Sequence, residues 1–182
     1  IYLHFDATRR SRCTQNIGRF VDFLANGLLA TLTQADQALL LKKTQIVHFK
    51  AGDVLATPDS LAPKVFFIVR GVVALFVRNS VNVPDDGLAV GLVGSEGALG
   101  LQWALNLGSG NLTLLVQSPG FAYVMDGSVL QQLIERRPSL MLLFSKYLWS
   151  VYEGVSTLAA MAHLNDVKIR LAHWLVMSAK KC

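Results

Sequence analysis

The sequence predicts an α+β chain: an antiparallel β-roll flanked by short helices, with a long helix on its C-terminal side. Three observations carry this. Between Gln45 and Met125, short β-rich runs alternate with turn signals such as Ala51-Gly52-Asp53 and Pro84-Asp85-Asp86-Gly87. That spacing suits strands joined by turns, whereas a parallel sheet needs helical crossovers. A glycine-rich cassette, Gly94-Ser95-Glu96-Gly97-Ala98-Leu99-Gly100, lies between two apolar runs. Further on, Leu140, Phe144, Tyr147, Val151, Gly154, Leu158 and Met161 are spaced 4, 3, 4, 3, 4, 3, an unbroken heptad seam.

Residues 1–16 are polar and basic without a clear period, which predicts a loose arm. From residue 17 to 137 the chain reads as the roll with its flanking helices. Phe20, Phe23, Leu24, Leu28, Leu29 and Leu32 suggest short helical pieces broken near Asn26-Gly27. Thr33-Gln34-Ala35-Asp36 has the form of a capping box, with Asp36 in the usual Glu position. It opens a helix through Leu39 and Leu40 towards Lys42-Lys43, whose charges suit a helix C-terminus.

From Gln45 the period becomes strand-like. Runs at Ile46–Lys50, Val54-Leu55, Val65–Val69, Val72–Val77, Leu88–Val93, Leu112–Gln117 and Ala122–Met125 read as strands. Gly71 reads as a bulge or bend between two of them. Leu101 to Leu107 has room for one short helical turn. Asp126-Gly127-Ser128 caps a helix from Val129 to Arg136, and Pro138 fits the first turn of the long helix, expected over residues 138–164.

A second seam on that helix, Met141, Leu148, Val155 and Ala162, recurs every seven residues. A helix apolar on two faces must bury both, one on its own roll and one elsewhere. A helix of about 26 residues is about 39 Å long, more than a roll of this size can cover. The expectation is a homodimer whose interface uses the seam from Leu140 to Met161, with Gly154 permitting close helix approach. Asn165-Asp166 then caps an amphipathic helix within residues 165–182, with Val167, Leu171, Trp174 and Leu175 on one face.

The 182 residues are 52% hydrophobic, enough for a sizeable core. No apolar run approaches the ~18 residues of a membrane span, so no membrane partner is expected. Nothing resembles a signal peptide, and Cys13 and Cys182 form no disulfide framework. A cytoplasmic location is the expectation. The net charge of +5 permits an anionic partner. Basic residues cluster at Arg9, Arg10 and Arg12 and again at Lys168, Arg170, Lys180 and Lys181.

Taken alone, the cassette is a glycine-rich turn or an anion cradle built from backbone N–H groups. The order of motifs adds to this: Gly52-Asp53-Val54-Leu55, Val65-Phe66-Phe67-Ile68-Val69-Arg70-Gly71, Asp86-Gly87, then Glu96-Gly97-Ala98-Leu99-Gly100, a strand, a short helix, Pro138 and a long helix. Over roughly residues 25 to 180 this resembles the effector domain of the Crp/Fnr family of bacterial transcription regulators. The resemblance implies a cyclic-nucleotide-binding-like double-stranded β-helix, a dimerisation helix and a small-molecule effector of unknown identity. It also implies DNA binding through a helix-turn-helix that follows the 165–182 helix and is missing from this chain. Lys168, Arg170, Lys180 and Lys181 would then lie near DNA.

Members of that family that bind cyclic nucleotides present a Glu in the glycine turn to the ribose. They present an Arg followed by Ser or Thr on the later strand to the phosphate. The matching positions here read Ala98 and Leu112-Thr113, and the base-facing pair on the long helix reads Val155-Ser156. Glu96 lies two residues before the ribose position. The resemblance therefore implies a degenerate pocket of Glu96, Gly97, Ala98, Leu99, Gly100, Leu112, Thr113, Val155 and Ser156 that does not respond to cyclic AMP.

Other chemistries find little support. His4, His48, His163 and His173 lack metal-ligand spacing, no cofactor is expected, and His48 reads as a core residue of its strand. Trp103, Trp149 and Trp174 read as packing residues, with an apolar effector stacking on Trp103 or Trp149 as the alternative. No nucleophile has a neighbouring base and no carboxylates pair, so the chain is not expected to be an enzyme. The alternative function is a stand-alone dimeric regulatory roll that contacts a protein and has no DNA-binding role.

Overall fold

The computed structural model describes residues 22–60, 63–78, 87–108, 111–162, 168, 171–172 and 175–176. The elements in chain order are α1 (Gly27–Ala30), α2 (Gln34–Leu41), β1 (Gln45–Phe49), β2 (Val54–Ala56), β3 (Lys64–Arg78), β4 (Gly87–Val93) and β5 (Ala98–Leu99). Then come α3 (Leu101–Ala104), β6 (Leu112–Asp126), α4 (Gly127–Arg136) and α5 (Pro138–Ala162). All the strand pairs are antiparallel, in the order β1-β6-β3-β4, with β2 also on β6 and β5 on β3. The expected α+β roll with flanking helices is the observed fold.

Strand alternation sorts the core into two apolar clusters, because successive side chains leave a strand on opposite faces. Val65 and Phe67 of β3, with Tyr123 and Met125 of β6, face the helices and pack with Phe23, Leu29, Leu40, Leu101, Leu130, Leu140 and Phe144. Phe66 and Ile68, with Ala122 and Val124, face the inside of the roll and pack with Phe49, Val73, Leu75, Val93, Leu99, Leu114 and Val116. One pair of strands thus serves both cores.

β3 and β6 are each single 15-residue strands where the sequence suggests two runs apiece. Gly71 adopts φ +95° and the β3–β6 register shifts around Arg70 and Val72. The glycine turns the ribbon without ending its pairing, which is the bulge or bend expected at Gly71. The capping box is present in altered form. The Thr33 hydroxyl accepts from Asp36 N–H at 3.3 Å and donates to the Asp36 carboxylate at 2.7 Å. The shorter Asp side chain meets the Thr hydroxyl, and its other oxygen pairs with Arg137 at 3.0 Å, tying α2 to the start of α5.

Two expectations are corrected. His48 is exposed on β1, its ring 5.5 Å from that of Phe121. It falls on the outward side of the alternation that buries Phe49. Trp149 is also exposed, with its indole N–H donating to Glu153 at 2.9 Å, so it is no packing residue within this chain. Trp103 does pack against the roll interior. The arm at 1–16, the Pro84–Gly87 turn apart from Gly87, and Trp174 lie outside the described residues. Among the described residues, no helix is long and apolar enough to cross a membrane.

Candidate functional site

The cassette runs from the end of β4 through β5 into α3, and three parts of the chain converge on it. From the N-terminal side, Asn26 is fully buried and its Nδ2 donates to Ile68 O and Gly97 O, both at 2.7 Å. Its Oδ1 accepts from Leu29 N–H at 2.9 Å and so caps α1. Gly27 N–H donates to Ser95 O at 2.7 Å. β3 supports the turn from beneath, through Ile68 N–H to Gly97 O at 3.3 Å.

From the C-terminal side comes α5. The Tyr147 hydroxyl accepts from Ala98 N–H at 3.0 Å and donates to Ala98 O at 3.1 Å. A Cβ on Gly97 would overlap that hydroxyl, so the position requires glycine to admit the tyrosine. At Gly100, φ is +80° and a Cβ would overlap Lys64 O. Here glycine serves the conformation as well as the space.

These contacts decide what the cassette can do. Gly94 N–H donates to both Glu96 carboxylate oxygens, at 3.2 and 3.1 Å, so the carboxylate folds back onto its own turn. Gly97 N–H donates to Gly94 O, and Ala98 N–H to Tyr147. These three backbone donors of the expected anion cradle are engaged by the chain's own atoms. α3 is only four residues long and offers no extended dipole. Burial pushes the Tyr147 hydroxyl well above its usual pKa. The Ala98 bond opposes that shift and the Glu96 charge reinforces it. The phenol is therefore neutral and able to donate.

Beside the turn lies a cavity of about 130 Å³, between β4 and α5. Leu75, Val90, Val93, Val151 and Val155 supply apolar wall, and Glu96, Tyr147 and Ser150 supply polar groups. Of the residues singled out as pocket, Glu96 and Val155 meet here. Gly97, Ala98, Leu99 and Gly100 form the adjoining turn, all buried. Leu112 and Thr113 lie on β6 opposite Val77 and Phe76, and neither lines the cavity. Thr113 is buried, Leu112 packs against the roll interior, and Ser156 is exposed.

The interface residues divide differently from expectation. Leu140 (1% exposed) and Phe144 (0%) belong to the core of their own chain, and Tyr147 is spent on the cassette. Val151 packs against the roll interior, and Gly154 lines the same cavity. From Leu140 to Val151 the seam assigned to a partner therefore docks on this chain's own roll, and that assignment is corrected. The side chains of Leu158 and Met161 lie outside the described residues.

The other face is the uncovered one. Met141, Ser145, Tyr152 and Ala159 are exposed; Leu148 and Val155 continue the spacing of 4 and 3 but are half-buried, Leu148 against the chain's own core and Val155 on the cavity. Trp149 and Tyr152 (each 60% exposed) stack at 5.3 Å between ring centres. Beyond α5, Lys168, Leu171 and Leu175 are helical and exposed. Arg170, Lys180 and Lys181 lie outside the described residues. Among the described residues, no group of three His, Cys, Asp or Glu side chains could hold a metal.

Asn26 and Tyr147 were not legible as cassette residues. The available signal was a phenol within an otherwise apolar seam, since a buried Tyr hydroxyl seeks a partner.

No family model matches the chain, and no curated protein matches it. Solved structures do. A CooA mutant from Carboxydothermus hydrogenoformans is 17% identical, with a TM-score of 0.61, covering 82% of this chain and 93% of that one. CLP, described as a c-di-GMP responsive global regulator in Xanthomonas campestris, is 16% identical with a TM-score of 0.61, covering 77% and 69%. A cyclic nucleotide-binding domain from Methylobacillus flagellatus KT is 12% identical with a TM-score of 0.66, covering 81% and 88%. At these identities the likeness is one of fold, and the fold of this chain is that of a cyclic-nucleotide-binding-like domain with helices on its C-terminal side.

Proposed function

We propose that this chain is the effector-sensing and dimerisation part of a Crp/Fnr-like DNA-binding transcription regulator, and that its roll does not respond to cyclic AMP or cyclic GMP. The observation that carries the reading is the two-faced α5. Its inner seam is committed to the roll, while Met141, Tyr152 and Ala159 leave surface uncovered on the outer face, with Leu148 half-buried between them. An exposed heptad seam of this kind suits a second copy of the same helix. A two-fold dimer would present two recognition helices to a pseudo-palindromic operator, one helical turn or a multiple apart. The fold shared with CooA and CLP supports this reading.

Insensitivity to cyclic nucleotides follows from Leu112 at the phosphate-binding position and Ala98 at the ribose position. A hydrogen bond to a charged group contributes about 1.5–3 kcal/mol, so one missing arginine costs about 10- to 100-fold in affinity.

Sedimentation tests the dimer. The chain should be dimeric at tens of micromolar, and Met141→Glu with Tyr152→Glu, both exposed in the single chain, should give a folded monomer, because charge cannot be buried unpaired at the seam. A monomeric wild type would overturn the reading. Calorimetric titration with either nucleotide into the millimolar range should show no saturable binding; micromolar binding would refute the insensitivity.

A further inference from the structure

We infer that Tyr147 is the cassette's resident ligand: its hydroxyl fills the hydrogen-bonding position at Ala98 that a small molecule would take, and fastens α5 to the roll without an effector. This deepens the regulatory reading above and rests on it.

The geometry is that of a ligand seated in a site. The N–H and C=O of one residue, Ala98, converge on a single oxygen at 3.0 and 3.1 Å. A hydroxyl satisfies both, because it donates and accepts through one atom. The place is shaped for it, since any side chain at Gly97 would overlap the phenol oxygen. Asn26 and Ile68 hold the turn through Gly97 O by hydrogen bonds that do not involve the tyrosine. The remaining cavity of about 130 Å³ is below the ~300 Å³ at which small-molecule sites begin. Nothing of ligand size fits beside the seated Tyr147.

The same contacts fix the class of molecule able to replace it. The replacement must offer a donor to Ala98 O and an acceptor to Ala98 N–H beside an apolar wall. An uncharged hydroxyl-bearing compound, such as a phenol, meets these conditions. A deprotonated phosphate oxygen offers no donor to Ala98 O and meets the Glu96 carboxylate in the same cavity. The site thus discriminates against the phosphate chemistry that a glycine turn with free N–H groups attracts.

Chemical complementation tests the inference. In Tyr147→Ala, p-cresol should bind the vacated space and restore slow hydrogen exchange at the Ala98 amide. Toluene, of similar shape without the hydroxyl, should not, and wild type should respond to neither. Equal effects of p-cresol and toluene on Tyr147→Ala would overturn the inference. Should that variant fail to fold, Tyr147→Phe decides. Its Ala98 amide should exchange about tenfold faster than in wild type, with Val65 to Ile68 unchanged. Unchanged protection at Ala98, or an equal loss along β3, would show that the hydroxyl is not a seated ligand. Both readouts are taken at Ala98, so they stand apart from the sedimentation and nucleotide results.

Discussion

Replacing Asn26 with alanine removes the anchor that holds the cassette to the N-terminal helices. Asn26 makes three hydrogen bonds, all with buried partners: to Ile68 O, to Gly97 O and from Leu29 N–H. Losing the α1 cap costs about 1 kcal/mol. The two carbonyls each lose a donor, at about 1–2 kcal/mol apiece. Gly97 O retains Ile68 N–H at 3.3 Å, which places its share at the low end. The sum is about 3 kcal/mol, a large fraction of the ~5–15 kcal/mol that holds a domain folded. At this chain length that corresponds to about 6–12 °C in Tm. Urea unfolding followed by tryptophan fluorescence measures it directly. Asn26→Ser keeps a cap acceptor without the reach to both carbonyls, and should recover only about 1 kcal/mol of the loss. An Asn26→Ala variant within about 0.5 kcal/mol of wild type, the range of an ordinary surface change, would refute the argument that this side chain organises the turn.

Alkaline pH should weaken the chain through Tyr147. Its folded pKa is raised above the unfolded value, so its stabilisation is intact below about pH 10 and is lost as pH climbs beyond that. The stability gap between wild type and Tyr147→Phe should therefore shrink above that pH, and a constant gap in urea midpoints would contradict it. Gly154→Ala should stabilise the chain by about 1 kcal/mol through helix propensity, because a Cβ there meets nothing within 4 Å in the chain itself. A drop in Tm, or loss of the dimer in sedimentation, would instead place a partner helix against that position.

Much of the fold was legible from local patterns. β-rich apolar runs at Val65–Ile68 and Ala122–Met125 identified strands, Thr33 and Asp36 marked a helix start, and the spacing from Leu140 onward fixed a long helix with two apolar faces. Local energetics set these features: side-chain direction repeats every two residues in a strand and every three to four in a helix. Periodicity defines a face but carries no record of what covers it. Leu140 and Phe144 therefore read as a dimer seam until β3 and β6 were seen to present Phe67 and Tyr123 to the same core. His48 lay one residue from a buried Phe49, and only the strand's placement against β6 decided which of the two faced in. The cassette shows the same division most sharply. Its glycines announced a close approach, but the approaching group, the Tyr147 hydroxyl, lies 49 residues away in sequence. The sequence by itself determined the elements and the two apolar faces of the long helix, through short-range sterics and periodicity. The pairing of those faces, and with it the filling of the cassette from within, was decided by tertiary structure alone, because burial belongs to two surfaces at once and neither encodes the other.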